Sequence, residues 1–294
     1  MGGFSVNRVP FFKPSIGDEE IEKVSEVLRG GWLTKGRLTK EFEERCKDFL
    51  SASDCLAVSS GTAGLHLALL SLNLKPGDEV ITTSLTHVAT VQAILYVGAK
   101  PVFADIDFET MNISPKDVLR KITPRTKAIL PVHFAGHPCD IDELKSIAGA
   151  HNLRIIEDAA HAFGASYRGK MIGSESISDI AVFSFYPNKP ITTGEGGLIC
   201  GGKELIDKLR VISHHGVVYP SSERLWRYDA VELGYKYNFT DIQAAIGLVQ
   251  LSKANELTLK RKKWFELYNE VFKNEEVLIR PVIREQANPS YYIY

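Results

Sequence analysis

Over residues 55–184 the chain alternates short apolar runs with helical patterns, and this alternation limits the fold more than any other feature. The run "CLAVSS" (55–60) reads as a strand, and "TAGLHLALLSLN" (62–73) carries apolar residues at helical spacing. After the turn "KPGDE" come "VITT" as a strand, "HVATVQAILYVG" as a helix and "PVFADI" as a strand. "SPKDVLRKI" opens a helix, with Ser114 as N-cap and Pro115 at the first helical position. "KAILPVHF", "DIDELKSIAGAH", "LRIIEDAA" and "DIAVFSF" continue as strand, helix, strand and strand. Strands joined through helices pair in parallel. The expected fold class is therefore α/β: a mostly parallel central sheet with helices on both faces and right-handed crossovers.

From Thr240, "TDIQAAIGLVQLSKANELTLKRKKWFELYNEVF" reads as one long helix capped by Thr240, of the kind that leaves one domain for another. "EEVLIRPVIREQANPSYYIY" then reads as a first and a following strand of a second, smaller domain. The expected division is 1–253 as a large domain and 254–294 as a connecting helix with the beginning of an incomplete small domain. Ending on the apolar pattern "SYYIY" points to a domain that continues past Tyr294.

Charge narrows the function classes. The 294 residues carry 35 Lys+Arg against 36 Asp+Glu, a net charge of −1, so nothing in the charge suggests a nucleic-acid surface or an anionic membrane partner. No apolar run approaches the roughly 18–20 residues that span a bilayer. "MGGFSVNRVPFFKPS" lacks the basic-then-apolar order of a secretion signal, and Val6 stands where a myristoylation site needs Ser or Thr. Cys46, Cys55, Cys139 and Cys200 are widely spread without a CxxC pair, and read as reduced, buried small hydrophobes of a cytoplasmic protein.

Three formal patterns fail on inspection. "GASYRGKM" (164–171) has the spacing of a phosphate loop, but Met171 replaces the magnesium-holding hydroxyl and no helix pattern follows, so a hairpin turn is expected. "GEGGLI" places Ile199 where a dinucleotide fingerprint needs its third glycine. "HFAGHPC" brings His133, His137 and Cys139 close in sequence without a metal-ligand spacing, and reads as loop histidines around a turn.

Three stretches carry chemistry. "IIEDAAHAFG" (155–164) ends a hydrophobic strand on Glu157 and Asp158, where ligands bind in an open parallel sheet. Asp158 is either the N-cap of a following helix or a partner for a protonated ring nitrogen. "SSGTAGLHLAL" (59–69) joins a strand to a helix through small residues, which suits either a simple cap or a phosphate at the helix head. In "FSFYPNKPITTGEGG" (183–197), Lys189 sits before a proline among Ser184, Asn188, Thr192 and Thr193. It is either a surface loop lysine or one that forms a Schiff base with an aldehyde cofactor. Taken together, Lys189 for an aldehyde, Asp158 for a pyridine nitrogen, Gly61, Thr62 and Ser184 for a phosphate, and His87 in "SLTHVAT" for ring stacking match the four needs of pyridoxal 5'-phosphate.

On these and further stretches, among them "GGWLTKGRLTKEFEE", "KPGDEVITTSLTHVAT", "RTKAILPVHFAGHPCDID" and "LGYKYNFTDIQAAIGLVQL", the sequence resembles the DegT/DnrJ/StrS family of sugar aminotransferases. The resemblance runs through nearly the whole chain. It implies a fold-type I aminotransferase, in which 1–253 is the cofactor-binding domain. It also implies that Lys189 bonds the cofactor, Asp158 pairs with the ring nitrogen, and Gly61, Thr62 and Ser184 hold the phosphate. His161 takes a place often held by glutamine beside the ring oxygen, and His87 the stacking place, which is more often aromatic. Asn238 would reach the cofactor phosphate of a second subunit across a two-fold homodimer. The implied activity is amino transfer, from glutamate, to a nucleotide-linked keto sugar for surface polysaccharide or amino-sugar synthesis. Many family members read GYNYRM where this chain has "GYKYNF" (234–239), and Lys236 with Asn238 resembles the branch acting at C4. A dehydratase branch of the family carries histidine at the lysine position, so Lys189 speaks against it. A regulatory protein on the same scaffold is the alternative outside catalysis.

Overall fold

A computed structural model describes residues 10–219 and 227–294. The myristoylation reading, and most of the secretion-signal reading, fall on residues 1–9 and lie outside the described residues. Two helices, α1 (Asp18–Gly30) and α2 (Arg37–Leu50), precede the first strand, β1 (Asp54–Val58). Then α3 (Gly61–Leu70), β2 (Glu79–Thr83), α4 (Val88–Tyr96), β3 (Lys100–Ala104), α5 (Pro115–Lys121) and β4 (Thr126–Ile129) alternate. After α6 (Ile141–His151) and β5 (Arg154–Asp158) come β6 (Ser166–Tyr167) and β7 (Lys170–Met171), which form the hairpin expected at "GASYRGKM". β8 (Ile180–Ser184), β9 (Gly197–Gly201), α7 (Lys203–Ile212), β10 (Val217–Val218) and β11 (Asp229–Ala230) follow. The described chain ends with α8 (Asp241–Ser252), α9 (Ala254–Val271) and β12 (Ala287–Asn288).

The central sheet has seven strands in the order β1-β9-β8-β5-β4-β2-β3. From β8 to β3 every neighbouring pair is parallel, and β9 is antiparallel to both β1 and β8. Only β9 is therefore reversed, and the carboxyl ends of the other six strands share one edge, where a ligand crevice forms in such sheets. The mostly parallel α/β fold expected from the alternation is present.

Period-two alternation separates two cores. Along β1, Cys55 and Ala57 face one cluster while Leu56 and Val58 face the other. In β8, Ala181 and Phe183 join the first and Ile180 and Val182 the second. Phe42 and Cys46 of α2 and Leu144 of α6 cover the first face; Leu65 and Leu69 of α3, Ile94 of α4 and Leu209 of α7 cover the second. Each such fully buried aliphatic or aromatic side chain contributes about 1.5–3 kcal/mol of burial.

The C-terminal expectations need correction in detail. The single long helix after Thr240 is two helices that break at Lys253 (φ −97°, ψ −2°). Thr240 does cap α8, forming a reciprocal box with Gln243. The break is pinned electrostatically, because Lys253 Nζ lies 3.0 Å from carboxylates of both Glu19 and Glu20 on α1. The two strands expected within 276–294 reduce to the two residues of β12, which pair with β6 of the large unit. Ser114 takes the N-cap position of α5 without a side-chain capping bond, and Pro115 stands at its first turn.

The head of α2 is closed by a residue two hundred positions away. Its N-cap, Gly36, has no side chain to offer. Asp241, at the start of α8, supplies the acceptor: the amides of Gly36 and Thr39 donate to Oδ1 at 2.9 Å, as does the Thr39 hydroxyl at 2.8 Å, and the Leu38 amide donates to Oδ2 at 3.2 Å. Asp241→Ala would leave buried donors without partners, so the unfolding free energy in urea should fall by about 2–4 kcal/mol. An unchanged urea midpoint would contradict this long-range cap.

Candidate active site

At the shared carboxyl edge lies a cavity of about 410 Å³. Gly61, Thr62, His87, Asp158, His161, Ser184 and Lys189 all line it, so seven of the eight candidate residues converge from four separate stretches. Asn238 does not line it. Within this one chain Asn238 bridges to Val58 at the end of β1, and its amide donates to the Phe239 carbonyl at 3.2 Å.

The turn from β1 into α3 is built for close approach. Ser60 caps α3 by accepting the Ala63 amide at 3.1 Å, and the Gly61 and Thr62 amides at the helix head have no intrahelical acceptor. Gly197, opening β9, packs directly on this turn. A Cβ at Gly197 would lie 2.6 Å from the Ser60 carbonyl carbon, so only glycine fits. Ser184, at the end of β8, stands against Gly61 and adds a hydroxyl to the cradle. Free amides, a positive helix end and a hydroxyl together make an anion site.

Asp158 ends β5 and is only 4% exposed. Its Oδ2 accepts from the Thr90 hydroxyl at 2.7 Å and its Oδ1 from the Ala160 amide at 3.1 Å. No helix starts after it, so the helix-cap alternative does not apply; the chain runs on in turns to β6. Thr90 in turn meets Thr86 at 2.7 Å, which ties the carboxylate to the head of α4. His87 is the N-cap of that helix, its Nδ1 accepting the Ala89 amide at 3.2 Å, and it stands exposed at the cavity rim.

Beneath Asp158 runs a buried brace. His133, Glu157 and Cys139 are fully buried, which revises the reading of "HFAGHPC" as loop histidines. The Cys139 amide donates to His133 Nδ1 at 3.0 Å, so the ring proton sits on Nε2 and goes to Glu157 Oε1 at 3.1 Å. Ser178 donates to the other Glu157 oxygen at 2.7 Å. The His133 amide also donates to the Asp158 carbonyl at 3.1 Å, so the brace fixes the strand end that carries Asp158.

Lys189 sits in a pinned loop between β8 and β9. Its own amide donates to the Tyr186 carbonyl at 2.9 Å. The Phe185 carbonyl takes the Thr192 hydroxyl at 2.9 Å and the Thr193 amide at 3.0 Å, which explains the two threonines. Arg261 of α9 donates to the Pro190 carbonyl at 2.9 Å. Burial pushes the Lys189 amine from its ordinary 10.5 down to about 8, against an upward pull from Asp158. Burial, then the Lys189 charge, push the His161 imidazole down to about 3, so it is neutral. Nδ1 of His161 and Oδ1 of Asn188 are buried in this wall without protein partners.

Two neighbours of the site were not legible in the sequence. Thr90 could have been found as the residue three after His87 on one helix turn; Tyr292 carried no local signal, since it reads as part of an apolar strand. Tyr292 lies 3.4 Å from Lys189 Nζ through its hydroxyl.

An anion cradle, a buried carboxylate and a desolvated amine facing one cavity in an α/β sheet are the needs of a pyridoxal phosphate-dependent enzyme. Comparison with known proteins agrees. The model of the DegT/DnrJ/EryC1/StrS aminotransferase family matches residues 14–294, and the chain belongs to that family of pyridoxal phosphate-dependent sugar aminotransferases. An uncharacterised protein of Methanocaldococcus jannaschii is 47% identical over 97% of this chain and 75% of its own length. The spore coat polysaccharide biosynthesis protein SpsC of Bacillus subtilis is 42% identical over the same shares. A Streptococcus pneumoniae protein assigned as a sugar aminotransferase, solved in its PMP form, superposes with a TM-score of 0.90 at 34% identity. It covers 98% of this chain and 78% of its own. Among the described residues no helix is long and apolar enough to cross a membrane.

The state of Lys189 is measurable without turnover. In cofactor-free protein, limited amine labelling followed by mass spectrometry should give Lys189 a midpoint near 8, below the ordinary lysine value of 10.5. The sign for stability follows. Below pH 8 the folded protein holds a partly buried ammonium that the unfolded chain solvates freely, and above 10.5 both forms are neutral. Lys189→Met should therefore stabilise the cofactor-free fold below pH 8 and lose that gain as pH rises to 10.5. A Lys189 midpoint at the ordinary lysine value would contradict the burial argument.

Proposed function

We propose that this protein transfers the amino group of glutamate to the C4 keto group of a nucleotide-linked sugar, in the synthesis of a surface polysaccharide or amino sugar. The observation that carries the reading is the cavity itself: a lysine held out of water on the same wall as a buried strand-end carboxylate. When bound, pyridoxal phosphate supplies an aldehyde that condenses with amines and a ring that accepts electrons. The residues present fit it. The amides of Gly61 and Thr62 with the Ser184 hydroxyl would hold its phosphate, and Asp158 would keep its ring nitrogen protonated. His87 would cover one ring face, and His161, with its unpartnered Nδ1, would meet the ring oxygen.

Lys189 does the proton work. An amine near 8 is close enough to neutral pH to serve as base and then acid. Its Nζ takes the proton from Cα of the amino acid and, in the second half of the cycle, gives one to the sugar carbon that becomes the amine-bearing centre. The Thr90 hydroxyl and the Ala160 amide donate to the two Asp158 oxygens and hold the carboxylate in place for this. The active sites are shared in a two-fold homodimer, with Asn238 of each subunit directed to the phosphate of the other. Its exclusion from its own chain's cavity supports that placement. Retention of Lys189 favours amino transfer over dehydration, and the similarity to a polysaccharide biosynthesis protein favours a sugar substrate.

The test is a panel of 4-keto and 3-keto nucleotide sugars with glutamate as donor. Amination of a 4-keto sugar is expected, with ping-pong kinetics. Lys189→Ala should abolish turnover. Asp158→Asn should lower kcat by about 100-fold or more while keeping the unfolding midpoint. Amination of the 3-keto sugars alone would overturn the C4 assignment, and near-normal turnover by Lys189→Ala would overturn the role of the lysine.

A further inference from the structure

A contact to the Lys189 amine comes from a residue more than a hundred positions along the chain. Nζ of Lys189 lies 3.4 Å from the Tyr292 hydroxyl and 4.8 Å from the centre of its ring. The tyrosine ring also packs against His161, with ring centres 4.4 Å apart and planes 32° from parallel. Asn188 and Arg261 both lie near enough to favour the charged form of the phenol. Burial outweighs both and raises the phenol above its ordinary range, so Tyr292 is neutral at neutral pH.

Tyr292 is held there by its backbone. The Ser290 amide donates to the Gly136 carbonyl at 3.1 Å, the Ser290 hydroxyl to the His161 carbonyl, and the Tyr292 amide to the Ala135 carbonyl at 3.2 Å. Gly136 has a φ of +83°, and a Cβ there would lie 2.0 Å from Ser290 Oγ, so this seat requires glycine on both counts. Tyr291 adopts a φ of +54° and its ring meets Phe265 of α9 at 5.3 Å, while the neighbouring Tyr292 reaches the lysine. A left-handed tyrosine is a strained choice, and three backbone and side-chain bonds around it hold it in place.

We propose that Tyr292 is a positioning residue for the reactive lysine: its ring keeps water from the amine, and its hydroxyl sets the direction in which Nζ points. The proposal rests on the reading of Lys189 given above. The other ionisable groups around the amine are Asp158 at the end of β5, His161 after it, His87 at the head of α4, Glu195 on the lysine's own loop and Arg261 on α9. Of these only Asp158 acts on the amine appreciably, and it pulls the amine upward, so the downward push is left to burial. Tyr292 contributes to that burial through direct contact.

Two variants separate ring from hydroxyl. Tyr292→Phe keeps the ring and the seat. Its Lys189 labelling midpoint in cofactor-free protein should stay within about half a unit of wild type, while kcat in the loaded enzyme falls about 10-fold with little change in KM. Tyr292→Leu opens the amine to water, and the labelling midpoint should rise by about one unit or more toward the ordinary lysine value. A wild-type midpoint in Tyr292→Leu would overturn the proposal, whatever happens to activity. A wild-type kcat in Tyr292→Phe would overturn the role of the hydroxyl. An ordinary lysine midpoint in the unsubstituted protein would overturn the reading of Lys189 itself, and with it this proposal.

Discussion

Taking a lysine amine out of water costs free energy, and much of this structure bears that cost at Lys189. An amine held near 8 has lost much of its hydration, and a nearby carboxylate only partly compensates. A loop that carries such a group would open to solvent unless it were tied. Here the ties come from three directions: Tyr186 and Phe185 within the loop, Arg261 from α9, and Tyr292 from far along the chain. The energy that holds the amine in place is spread over the fold, while its effect, a lowered proton affinity, falls on one atom.

The sheet makes this convergence cheap. Six strands pointing one way put the ends of β1, β5 and β8 on one edge, so Ser60, Asp158 and Ser184 meet without long loops. Close approach then depends on small residues, and Gly197 against Ser60 is the clearest case. The carboxylate is fixed twice, by Thr90 above and by the buried His133–Glu157 pair below. The His133 amide on the Asp158 carbonyl carries this brace to the strand end and fixes where it sits.

Legibility followed sequence distance. Gly61, Thr62, Asp158, Ser184 and Lys189 each sit at a strand end or in a loop whose local pattern made them candidates, and their combination with the family resemblance chose among the readings that pattern left open. The alternation of strand and helix gave the α/β class for the same reason. Tyr292 and Asp241 could not be read this way. Their partners lie 103 and more than 200 positions away, and each looks locally like something ordinary: a strand aromatic and a first-turn acid. The break between α8 and α9 was hidden for a related reason. The apolar spacing runs straight through Lys253, and the charges that bend the chain there belong to α1. β12 shows tertiary context overriding pattern, since "VLIRPVI" has strand-forming residues yet only Ala287 and Asn288 find a strand partner.

The central claim is that Lys189 is the residue on which the cofactor rests, and chemical trapping tests it most directly. Incubating the purified protein with pyridoxal phosphate, reducing it with borohydride and mapping the peptides by mass spectrometry should place one pyridoxyl group per chain on the peptide that contains Lys189. The visible absorption should be lost as the group becomes fixed. A pyridoxyl group spread over several surface lysines, or absent from the Lys189 peptide, would contradict the account.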